Sequence, residues 1–418
     1  MNMNTLWTRS LTKNMNDLLT DADLCVKCGL CLPHCPTYTQ TQNENESPRG
    51  RIALIQAWAG QKLDTSEQLL EHIDNCLLCR SCERVCPAVV PYGRLIDNFR
   101  SQTAPQRKSS LRVTLIKKAA HQPDTRQLLQ KSLRFYQNSP LQNAARFFKV
   151  PQLLGFQAIE RLLPSQQDTL DISQNYYPAS TDKQGSVGLF AGCLGEWLDP
   201  QTLRASIQVL TAIGFDVHRP KTQSCCGALA LHDGDADTAH GLAETNIKAF
   251  EGLELTAIIS IASGCGSQLR EYQNAGFAQQ VMDISHFLSQ YGGDWGARLN
   301  ALPKTICVHT PCSLKNVLRT EQSVFKLLRQ IPGIHLAPLP ETVQCCGSAG
   351  SYMLDHPNMA QTLLSQVLDK ATGLQPDMLV SSNIGCALHI AAGLRERGIP
   401  LEVVHPVVLV ARLLRQDE

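Results

Sequence analysis

Charge is scarce and balanced in this sequence. Its 418 residues contain 38 Lys and Arg against 37 Asp and Glu, which gives a formal net charge of +1 at pH 7. A chain without a charge excess offers no electrostatic reason to expect nucleic acid or a strongly acidic partner. Charged residues make up 18% and apolar residues 43% of the chain, a mixture typical of globular domains rather than of disorder.

Long apolar runs are also missing. No run approaches the length of a transmembrane helix, about eighteen residues, so we expect only a peripheral attachment to any membrane. The first residues, Met1 to Thr20, lack the uninterrupted apolar core of a secretory signal. Together with 17 cysteines, this predicts a cytoplasmic protein whose thiols are metal ligands, with any membrane contact on the cytoplasmic face of the inner membrane.

Nucleotide-binding motifs are absent as well. The sequence has no G-x-G-x-x-G after a predicted strand and no Walker motif. Such glycine-rich turns bring backbone N–H groups against the phosphates of a nucleotide. Their absence predicts that this chain has no flavin or NAD site of its own.

The feature that organises the sequence is a pair of cysteine runs near its amino end. The runs from Cys25 to Pro36 and from Cys76 to Pro87 share the spacing C-x2-C-x2-C-x3-C-P. In this bacterial ferredoxin pattern, three closely spaced thiolates hold one [4Fe-4S] cluster and the fourth cysteine of the run completes the other. The spacing therefore predicts two [4Fe-4S] clusters, the first held by Cys25, Cys28, Cys31 and Cys86 and the second by Cys76, Cys79, Cys82 and Cys35.

A pair of structural zinc sites is the alternative, because C-x2-C is also a zinc spacing. Zinc sites need only two such pairs, whereas here two runs of four cysteines repeat one spacing and each ends in proline. A disulfide framework is disfavoured, because a chain of this length can bury a core without covalent staples. We interpret the runs as iron–sulfur sites.

About forty residues separate the two runs, and their pattern is helical. One helix is predicted to follow Pro48 and end at Gly60, and a second to start at Asp64 with Glu67 placed for a capping box. Arg49 and Arg51 either meet a partner or a cluster's negative charge, or form a solvated helix start. The solvated start is the simpler interpretation, because charges at helix ends are common.

Cysteines are absent between residues 101 and 182, where the composition becomes basic. Residues 101–150 contain ten Lys or Arg and one acid, Asp124, with apolar residues in between: Leu111, Val113, Leu115 and Ile116. Such a segment can lie against an anionic membrane or a partner subunit, or it can be the outer face of linker helices. Pro178 and the polar run 180–185 mark the next boundary.

The remainder of the sequence is a duplication. Its cysteines recur at offsets of 119 to 121 residues: Cys193 with Cys312, Cys225 and Cys226 with Cys345 and Cys346, and Cys265 with Cys386. Both copies alternate predicted strands and helices, with strands at 187–191 and 257–261 in the first and at 305–309 and 378–381 in the second. This alternation indicates two α/β units with largely parallel strands.

The repeated cysteines are predicted to lie at strand ends or in loops, where α/β folds gather their ligand sites. Adjacent cysteines can share a metal only if the backbone turns sharply, which Gly227 and Gly347 permit. Soft thiolates suit iron–sulfur or zinc. Cys307 has no counterpart and is predicted to be an ordinary core cysteine.

Three histidines are candidate ligands or proton carriers of this half: His286, His309 and His389. A lone histidine near a metal site is more often a hydrogen-bonding residue than a ligand. We therefore assign none of them to a site from the sequence.

At the Cys-Cys-Gly runs the sequence resembles a known family. Two ferredoxin-type runs followed by two CCG repeats are similar to the iron–sulfur subunit of glycolate oxidase, and more broadly to cysteine-rich domains of heterodisulfide reductase and anaerobic glycerol-3-phosphate dehydrogenase. The resemblance covers nearly the whole chain and includes Pro48-Arg-Gly-Arg51, Ser-Gly-Cys-Gly266 and Asn-Ile-Gly-Cys386. It departs from the fullest CCG repeats, which end in C-x-x-C, because each repeat here keeps four cysteines rather than five.

Pattern and resemblance together predict an α+β multidomain protein. A mainly helical 4Fe-4S ferredoxin domain is expected at 15–100, a basic, mostly helical linker at 101–182, and a duplicated α/β cysteine-rich (CCG) domain with repeats at 183–300 and 301–418. For the eight repeated cysteines a third cluster, a zinc and a structural role all stay open, and the missing fifth cysteine makes a non-cubane cluster doubtful.

Electron bookkeeping defines the expected activity. Oxidising a 2-hydroxy acid releases two electrons, a [4Fe-4S] cluster accepts one, and flavins convert between the two. The resemblance implies the electron-transfer subunit of a glycolate oxidase (glycolate dehydrogenase) complex, which takes electrons from an FAD-containing partner and passes them to a membrane quinone or another acceptor. D-Lactate or glycerol-3-phosphate would suit the same arrangement. A heterodisulfide-reductase-like catalytic subunit and a zinc-bound scaffold are the other hypotheses.

Overall fold

The computed structural model describes residues 15–107, 174–342 and 345–415, together with a few positions between 132 and 172. The predicted basic linker, including residues 111–116, lies almost entirely outside these described residues. Among the helices that are described, none is both long and apolar enough to cross a membrane.

The N-terminal domain is built from helices, with no strand among residues 15–107, as predicted. The helices are α1 (Met15–Asp23), α2 (Pro36–Thr41), α3 (Pro48–Ala59), α4 (Glu67–Asp74), α5 (Ser81–Arg84) and α6 (Tyr92–Thr103). Short 3₁₀ turns lie at Leu32–His34, Glu44–Glu46 and Ala104–Gln106.

Local capping sets the two helices between the cysteine runs. Helix α3 starts where predicted, because the Ser47 side chain accepts a hydrogen bond from the Gly50 N–H and Pro48 needs no partner in the first turn. The predicted start of α4 at Asp64 is wrong by three residues. Ser66 is the cap, since its hydroxyl accepts from the Leu69 N–H, and the helix begins at Glu67.

The core of this domain lies between α1, α3, α4 and α6. Each helix contributes apolar side chains that are fully buried: Leu18, Ile55, Ile73, Leu95 and Phe99. Burying one such side chain stabilises the fold by about 1.5–3 kcal/mol. Cys76 and Cys82 are part of the same core, so their sulfurs are held in a rigid apolar setting.

The first repeat is an α/β unit around a five-stranded sheet. Its strands are β1 (Tyr176–Tyr177), β2 (Gly185–Phe190), β3 (Phe215–His218), β4 (Ala257–Ser260) and β5 (Val281–Asp283), in the order β1-β3-β2-β4-β5. All neighbours are parallel except β1 and β3. A separate helix, α7 (Leu141–Phe147), precedes the sheet, and the repeat adds α8 (Gly192–Leu198), α9 (Pro200–Ala212), α10 (Ala228–His232), α11 (Ala236–Phe250), α12 (Ser263–Arg270), α13 (Ala275–Gln280) and α14 (Ile284–Tyr291).

The second repeat has a four-stranded, all-parallel sheet in the order β7-β6-β8-β9. Its strands are β6 (Thr305–His309), β7 (His335–Pro338), β8 (Met378–Ser381) and β9 (Glu402–Val404). A π-helix (Ser313–Leu318) and five α-helices complete it: α15 (Glu321–Leu328), α16 (Tyr352–Asp355), α17 (Pro357–Gly373), α18 (Ile384–Glu396) and α19 (Pro406–Leu413). The predicted duplicated α/β architecture is confirmed.

The two repeats share one hydrophobic core. Helix α19 of the second repeat packs on α9 of the first, and buried residues of both sheets belong to one continuous cluster. Leu203 and Leu210 of α9 and Val407 and Val410 of α19 are all fully buried in it. The repeats therefore form one folded unit, in which neither buries its apolar face alone.

The helical domain is docked on both repeats. Arg80 pairs with Glu271 of the first repeat, and Arg84 donates to the Lys315 carbonyl of the second at 2.6 Å. The Asn316 amide of the second repeat donates to the Cys79 carbonyl at 2.8 Å. These contacts hold the second cysteine run directly against the duplicated domain.

Candidate metal centres

The first cysteine set surrounds a small cavity at the surface of the helical domain. Its lining includes Cys25, Cys28, Cys31 and Cys86, the four residues predicted to hold the first cluster. Lys27 and Gly29 have left-handed backbone, with φ of 55° and 84°, which winds the loop around the cavity. Cys28 is exposed, so this cavity is open to solvent at its rim.

The second set surrounds an inner cavity. Cys35, Cys76, Cys79 and Cys82 line it, so the fourth cysteine of the first run crosses to the second group in the predicted way. Leu78 and Arg80 turn this loop with left-handed φ values of 48° and 56°. Cys76 accepts weak hydrogen bonds at sulfur from the Leu78 N–H and the Tyr92 hydroxyl.

The spacing of the sulfurs separates the metal alternatives. None of the 17 cysteines forms a disulfide. Among the described residues, no three ferredoxin-type cysteines bring their sulfurs within 4.8 Å of one another. Zn–S bonds of about 2.3 Å in a tetrahedral site would require sulfurs about 3.8 Å apart. The two sets therefore fit a larger, polynuclear group better than a single zinc ion.

A buried ionic network lies beside the inner cavity, and it corrects our interpretation of Arg51 as a solvated residue. The Arg51 side chain is 1% exposed and donates to the Glu46 carboxylate at 2.5 Å and to the His72 carbonyl at 2.7 Å. Burial alone would lower the pKa of Arg51, but the negative groups Tyr92, Cys76, Cys35 and Glu46 outweigh it and raise that pKa above its ordinary value. Arg51 is thus a fixed cation next to the inner thiolates.

Arg49 behaves differently from Arg51, although they are two residues apart. It is a third exposed, pairs with the exposed Glu44 at 2.6 Å and donates to the Lys27 carbonyl at 3.3 Å. Arg49 therefore braces the loop of the outer cavity at the surface, as the solvated interpretation expects for a helix start.

The eight repeated cysteines all line one cavity of about 790 Å³. It lies between the two repeats and the helical domain, which contributes Cys76 and Leu77 to its wall. Cys265 and Cys386 do not lie in loops, as the sequence predicts, but in the first turns of α12 and α18. The chain enters helix directly after β4 and β8, so these sulfurs are near helix N-termini, where the helix dipole stabilises thiolates.

Both Cys-Cys-Gly runs turn sharply at glycine, as predicted. Gly227 and Gly347 have φ of 84° and 83°, so both are left-handed. A Cβ on Gly347 would lie 2.5 Å from the Ala360 carbonyl oxygen. Only glycine permits this turn, which allows both neighbouring cysteines to line the cavity.

The inner cavity contacts the second repeat through its sulfur-bearing residues. Cys79 and Cys312 pack against a buried cluster that contains Leu77 and Cys345. Burial raises the pKa of Cys79, and the negative charge of the Cys345 thiolate raises it further. The cysteines of the helical domain and of the second repeat are therefore electrostatic neighbours.

The three candidate histidines have different surroundings. One ring nitrogen of His309 and the sulfurs of Cys346 and Cys386 all lie within 4.8 Å of one another. His389 is buried and its Nδ1 lies 3.5 Å from Arg161. The Nδ1 of His286 contacts the Ser323 hydroxyl at 2.8 Å. Only His309 joins a cysteine group in the described part of the chain.

Sequence reasoning did not identify the residues that support the inner cavity. Glu46, His72 and Asn75 surround Arg51, with the His72 Nδ1 2.7 Å and the Asn75 amide 3.2 Å from the Glu46 carboxylate. They come from three separate elements and follow no spacing rule. The Glu46-Ser-Pro sequence before α3 was the only local signal, and it predicts a helix start rather than a buried ion pair.

Two family models match the chain. A 4Fe-4S dicluster domain matches residues 21–90, and a cysteine-rich domain matches residues 187–270 and 306–391. The helical domain with two four-cysteine cavities and the duplicated cysteine-rich α/β domain define an iron–sulfur protein with an electron-transfer role.

Comparison with whole proteins gives the family. The chain is 32% identical to the probable glycolate oxidase iron-sulfur subunit of Bacillus subtilis, over 90% of this chain and 89% of that protein. It is 30% identical to the glycolate oxidase iron-sulfur subunit of Escherichia coli, over 99% and 100%. A fumarate reductase (CoM/CoB) subunit of Methanothermobacter marburgensis is 25% identical over 90% and 68%. The chain belongs to the family of glycolate oxidase iron-sulfur subunits.

Proposed function

We propose that this chain is the electron-transfer subunit of a glycolate oxidase (glycolate dehydrogenase) complex. It takes single electrons from an FAD-containing partner that oxidises glycolate or a similar 2-hydroxy acid, and it delivers them toward a quinone-type acceptor. The observation that carries the proposal is the order of the cysteine sites. An exposed four-cysteine cavity, a buried one and the cavity of the repeats follow one another from the surface inward.

Two [4Fe-4S] clusters are proposed for the helical domain, and when bound they supply one-electron redox chemistry. Cys25, Cys28, Cys31 and Cys86 would hold the outer cluster, and Cys35, Cys76, Cys79 and Cys82 the inner one. The donor sets support this, since each cavity has four thiols whose sulfurs are too far apart for a single ion.

The outer cavity is the proposed contact with the flavoprotein. Its rim carries exposed apolar side chains, with Val26 at 70% and Leu30 at 56% exposure. Exposed apolar residues around a functional site are typical of protein interfaces. Burial of Val26 and Leu30 by a partner would exclude water beside Cys28 and bring the two redox centres close together.

A further metal centre is proposed in the cavity of the repeats. Its eight candidate ligands are the repeated cysteines, Cys193, Cys225, Cys226 and Cys265 with Cys312, Cys345, Cys346 and Cys386. Soft thiolates suit an iron–sulfur cluster first and zinc second. The contact of Cys79 with the Cys312 and Cys345 group supports transfer from the inner cavity to this site.

Glycolate as the donor rests on the relatives. The two glycolate oxidase subunits are 32% and 30% identical and align with almost the whole chain, whereas the CoM/CoB fumarate reductase subunit is 25% identical and is covered over 68% of its length. A heterodisulfide-type catalytic role is therefore not favoured. The proposed location is the cytoplasm, with peripheral contact to the membrane that contains the quinone.

Anaerobic purification of the chain with its partners tests this function. We expect a co-purifying flavoprotein, glycolate-dependent reduction of a quinone analogue, and about eight irons per chain from the two ferredoxin-type sites. Cys79→Ser should abolish quinone reduction and leave reduction of the partner's flavin by glycolate intact. Quinone reduction at the wild-type rate in Cys79→Ser, or a colourless chain that binds zinc, would contradict the proposal.

A further inference from the structure

The two repeats differ at one position that the sheets align. In the first repeat Phe190 is the last residue of β2 and pairs with Ser260 of β4. In the second repeat His309 is the last residue of β6 and pairs with Ser381 of β8. The strand register therefore makes Phe190 and His309 equivalent, independently of the cysteine offsets.

The surroundings of these two side chains are equivalent as well. Phe190 is 1% exposed and belongs to the buried cluster that contains Cys193, Cys225 and Cys226. His309 is 5% exposed, and one of its ring nitrogens lies with the sulfurs of Cys346 and Cys386 inside 4.8 Å. Those two sulfurs are themselves 2.9 Å apart. The first repeat thus presents a hydrocarbon ring to its cysteines, and the second presents a nitrogen donor.

The other face of the imidazole is fixed by a hydrogen bond. The Nδ1 of His309 contacts the Ser381 hydroxyl at 2.9 Å. In the first repeat the equivalent Ser260 hydroxyl donates instead to the backbone carbonyl of Ala262. Metal-binding histidines generally have their second ring nitrogen held by a hydrogen bond, which orients the ring and fixes its tautomer. The Ser381 contact provides this arrangement.

We propose that His309 is a nitrogen ligand to an iron centre held by the cysteines of the second repeat, so that the two repeats carry chemically different sites. The inference rests on the metal centre proposed above for the repeats. His309 supplies the fifth donor that the sequence lacks at the end of the repeat. His389, which stands at the C-x-x-C position, contacts Arg161 instead.

The consequence for electron transfer follows from charge. Imidazole is a neutral ligand where thiolate is an anion, and replacing cysteine by histidine raises the reduction potential of an iron–sulfur centre. The second repeat is also the one whose Cys345 lies beside Cys79 of the inner cavity. Electrons leaving the inner cavity would therefore find the more oxidising of the two sites adjacent to them.

Nitrogen-sensitive pulsed electron paramagnetic resonance on the reduced, anaerobically purified full chain tests the ligand. Protein labelled with ¹⁵N-histidine should show the strong coupling of a directly bound imidazole nitrogen, which all-cysteine clusters cannot give. His309→Phe, which copies the first repeat, should lose this coupling, while His389→Phe should retain it. No histidine coupling in the wild type, or an unchanged coupling in His309→Phe, would overturn the inference.

Metal content separates this inference from the function on which it rests. Cys386→Ser should lower the iron content relative to wild type and thus report whether the second repeat holds iron at all. If Cys386→Ser loses iron but no histidine coupling exists in the wild type, the ligand inference fails and the metal site stands. If Cys386→Ser keeps all the iron, the proposed centre of the repeats fails, and His309 with it.

Discussion

The guanidinium of Arg51 donates to the carboxylate of Glu46 at 2.5 Å in the interior of the helical domain, where both side chains are almost fully buried. A pair of this kind is costly to desolvate, so breaking it by removing one partner leaves an uncompensated charge. Because Arg51 also lies close to Cys35 and Cys76, the pair connects the stability of the domain with the electrostatics of its inner cavity.

Replacement of Arg51 should therefore have two effects. We expect Arg51→Gln to destabilise the domain by about 3–5 kcal/mol, since Glu46 stays buried without its cation. Loss of a positive charge beside the inner thiolates should also lower the reduction potential of a cluster bound there. Urea unfolding and a potentiometric titration measure the two effects. The matched control is Arg49→Gln, whose exposed pair with Glu44 contributes at most about 1 kcal/mol; equal effects of both variants would contradict this account.

The left-handed turn at Gly347 gives a second prediction. Gly347→Ala forces a side chain into left-handed backbone, which costs about 1–2 kcal/mol, and places its Cβ 2.5 Å from the Ala360 oxygen. We expect loss of more than about 2 kcal/mol of stability, measured by thermal unfolding, and a lower metal content in the second repeat. Gly373→Ala is the control, because its Cβ would meet open space at the end of α17 and should be neutral or slightly stabilising. A Gly347→Ala protein with wild-type stability would show that the turn is not required.

The exposed rim of the outer cavity gives a third. Leu30→Glu places a charge in the surface proposed to meet the flavoprotein, and an interface excludes an unpaired charge. We expect at least about a tenfold slower electron exchange with the co-purified partner, since this corresponds to only about 1.4 kcal/mol of lost binding. Leu63→Glu is the comparison, because Leu63 is also exposed but does not line the cavity. Iron content should equal wild type in both, and unchanged exchange in Leu30→Glu would place the partner elsewhere.

His405 gives a prediction about pH. Its Nδ1 accepts a hydrogen bond from the Val407 N–H and caps α19, and burial lowers the pKa of His405 to about 3. The unfolded chain binds a proton near pH 6.5 and the folded chain does not, so stability is full above that pH and falls as the pH drops toward 3. The expected loss from this residue is about 1.4 kcal/mol per pH unit below about 6.5.

Urea unfolding at about pH 7.5 and about pH 5.5, on either side of the histidine's ordinary pKa, measures this dependence. Asparagine caps a helix without titrating, so His405→Asn should lose less stability between the two values than wild type does. His335→Asn, on the exposed residue at the start of β7, serves as the control and should follow wild type. Identical pH dependence of His405→Asn and wild type would remove His405 as the source.

Local patterns in the chain were enough to predict several features. The alternation of apolar runs predicted the strands of both repeats, and β6 and β8 match at both ends, because a buried parallel strand needs a short continuous apolar run. The spacing of the cysteine runs predicted two groups of four, because neighbouring thiolates in a short loop can only converge on the space between them. The glycines after Cys226 and Cys346 predicted sharp turns, since a left-handed residue costs glycine little.

Other features were decided only in three dimensions. Nothing in the Pro48-Arg-Gly-Arg51 sequence distinguishes a surface arginine from a buried one, because Glu46, His72 and Asn75 converge on Arg51 from different elements. The position of the helical domain over both repeats depends on contacts between residues 191 positions apart, such as Arg80 with Glu271. The same holds for His309, whose pairing with Ser381 and approach to two cysteines arise from the register of β6 and β8. Sequence spacing sets local geometry, whereas long-range packing determines which charges and donors meet.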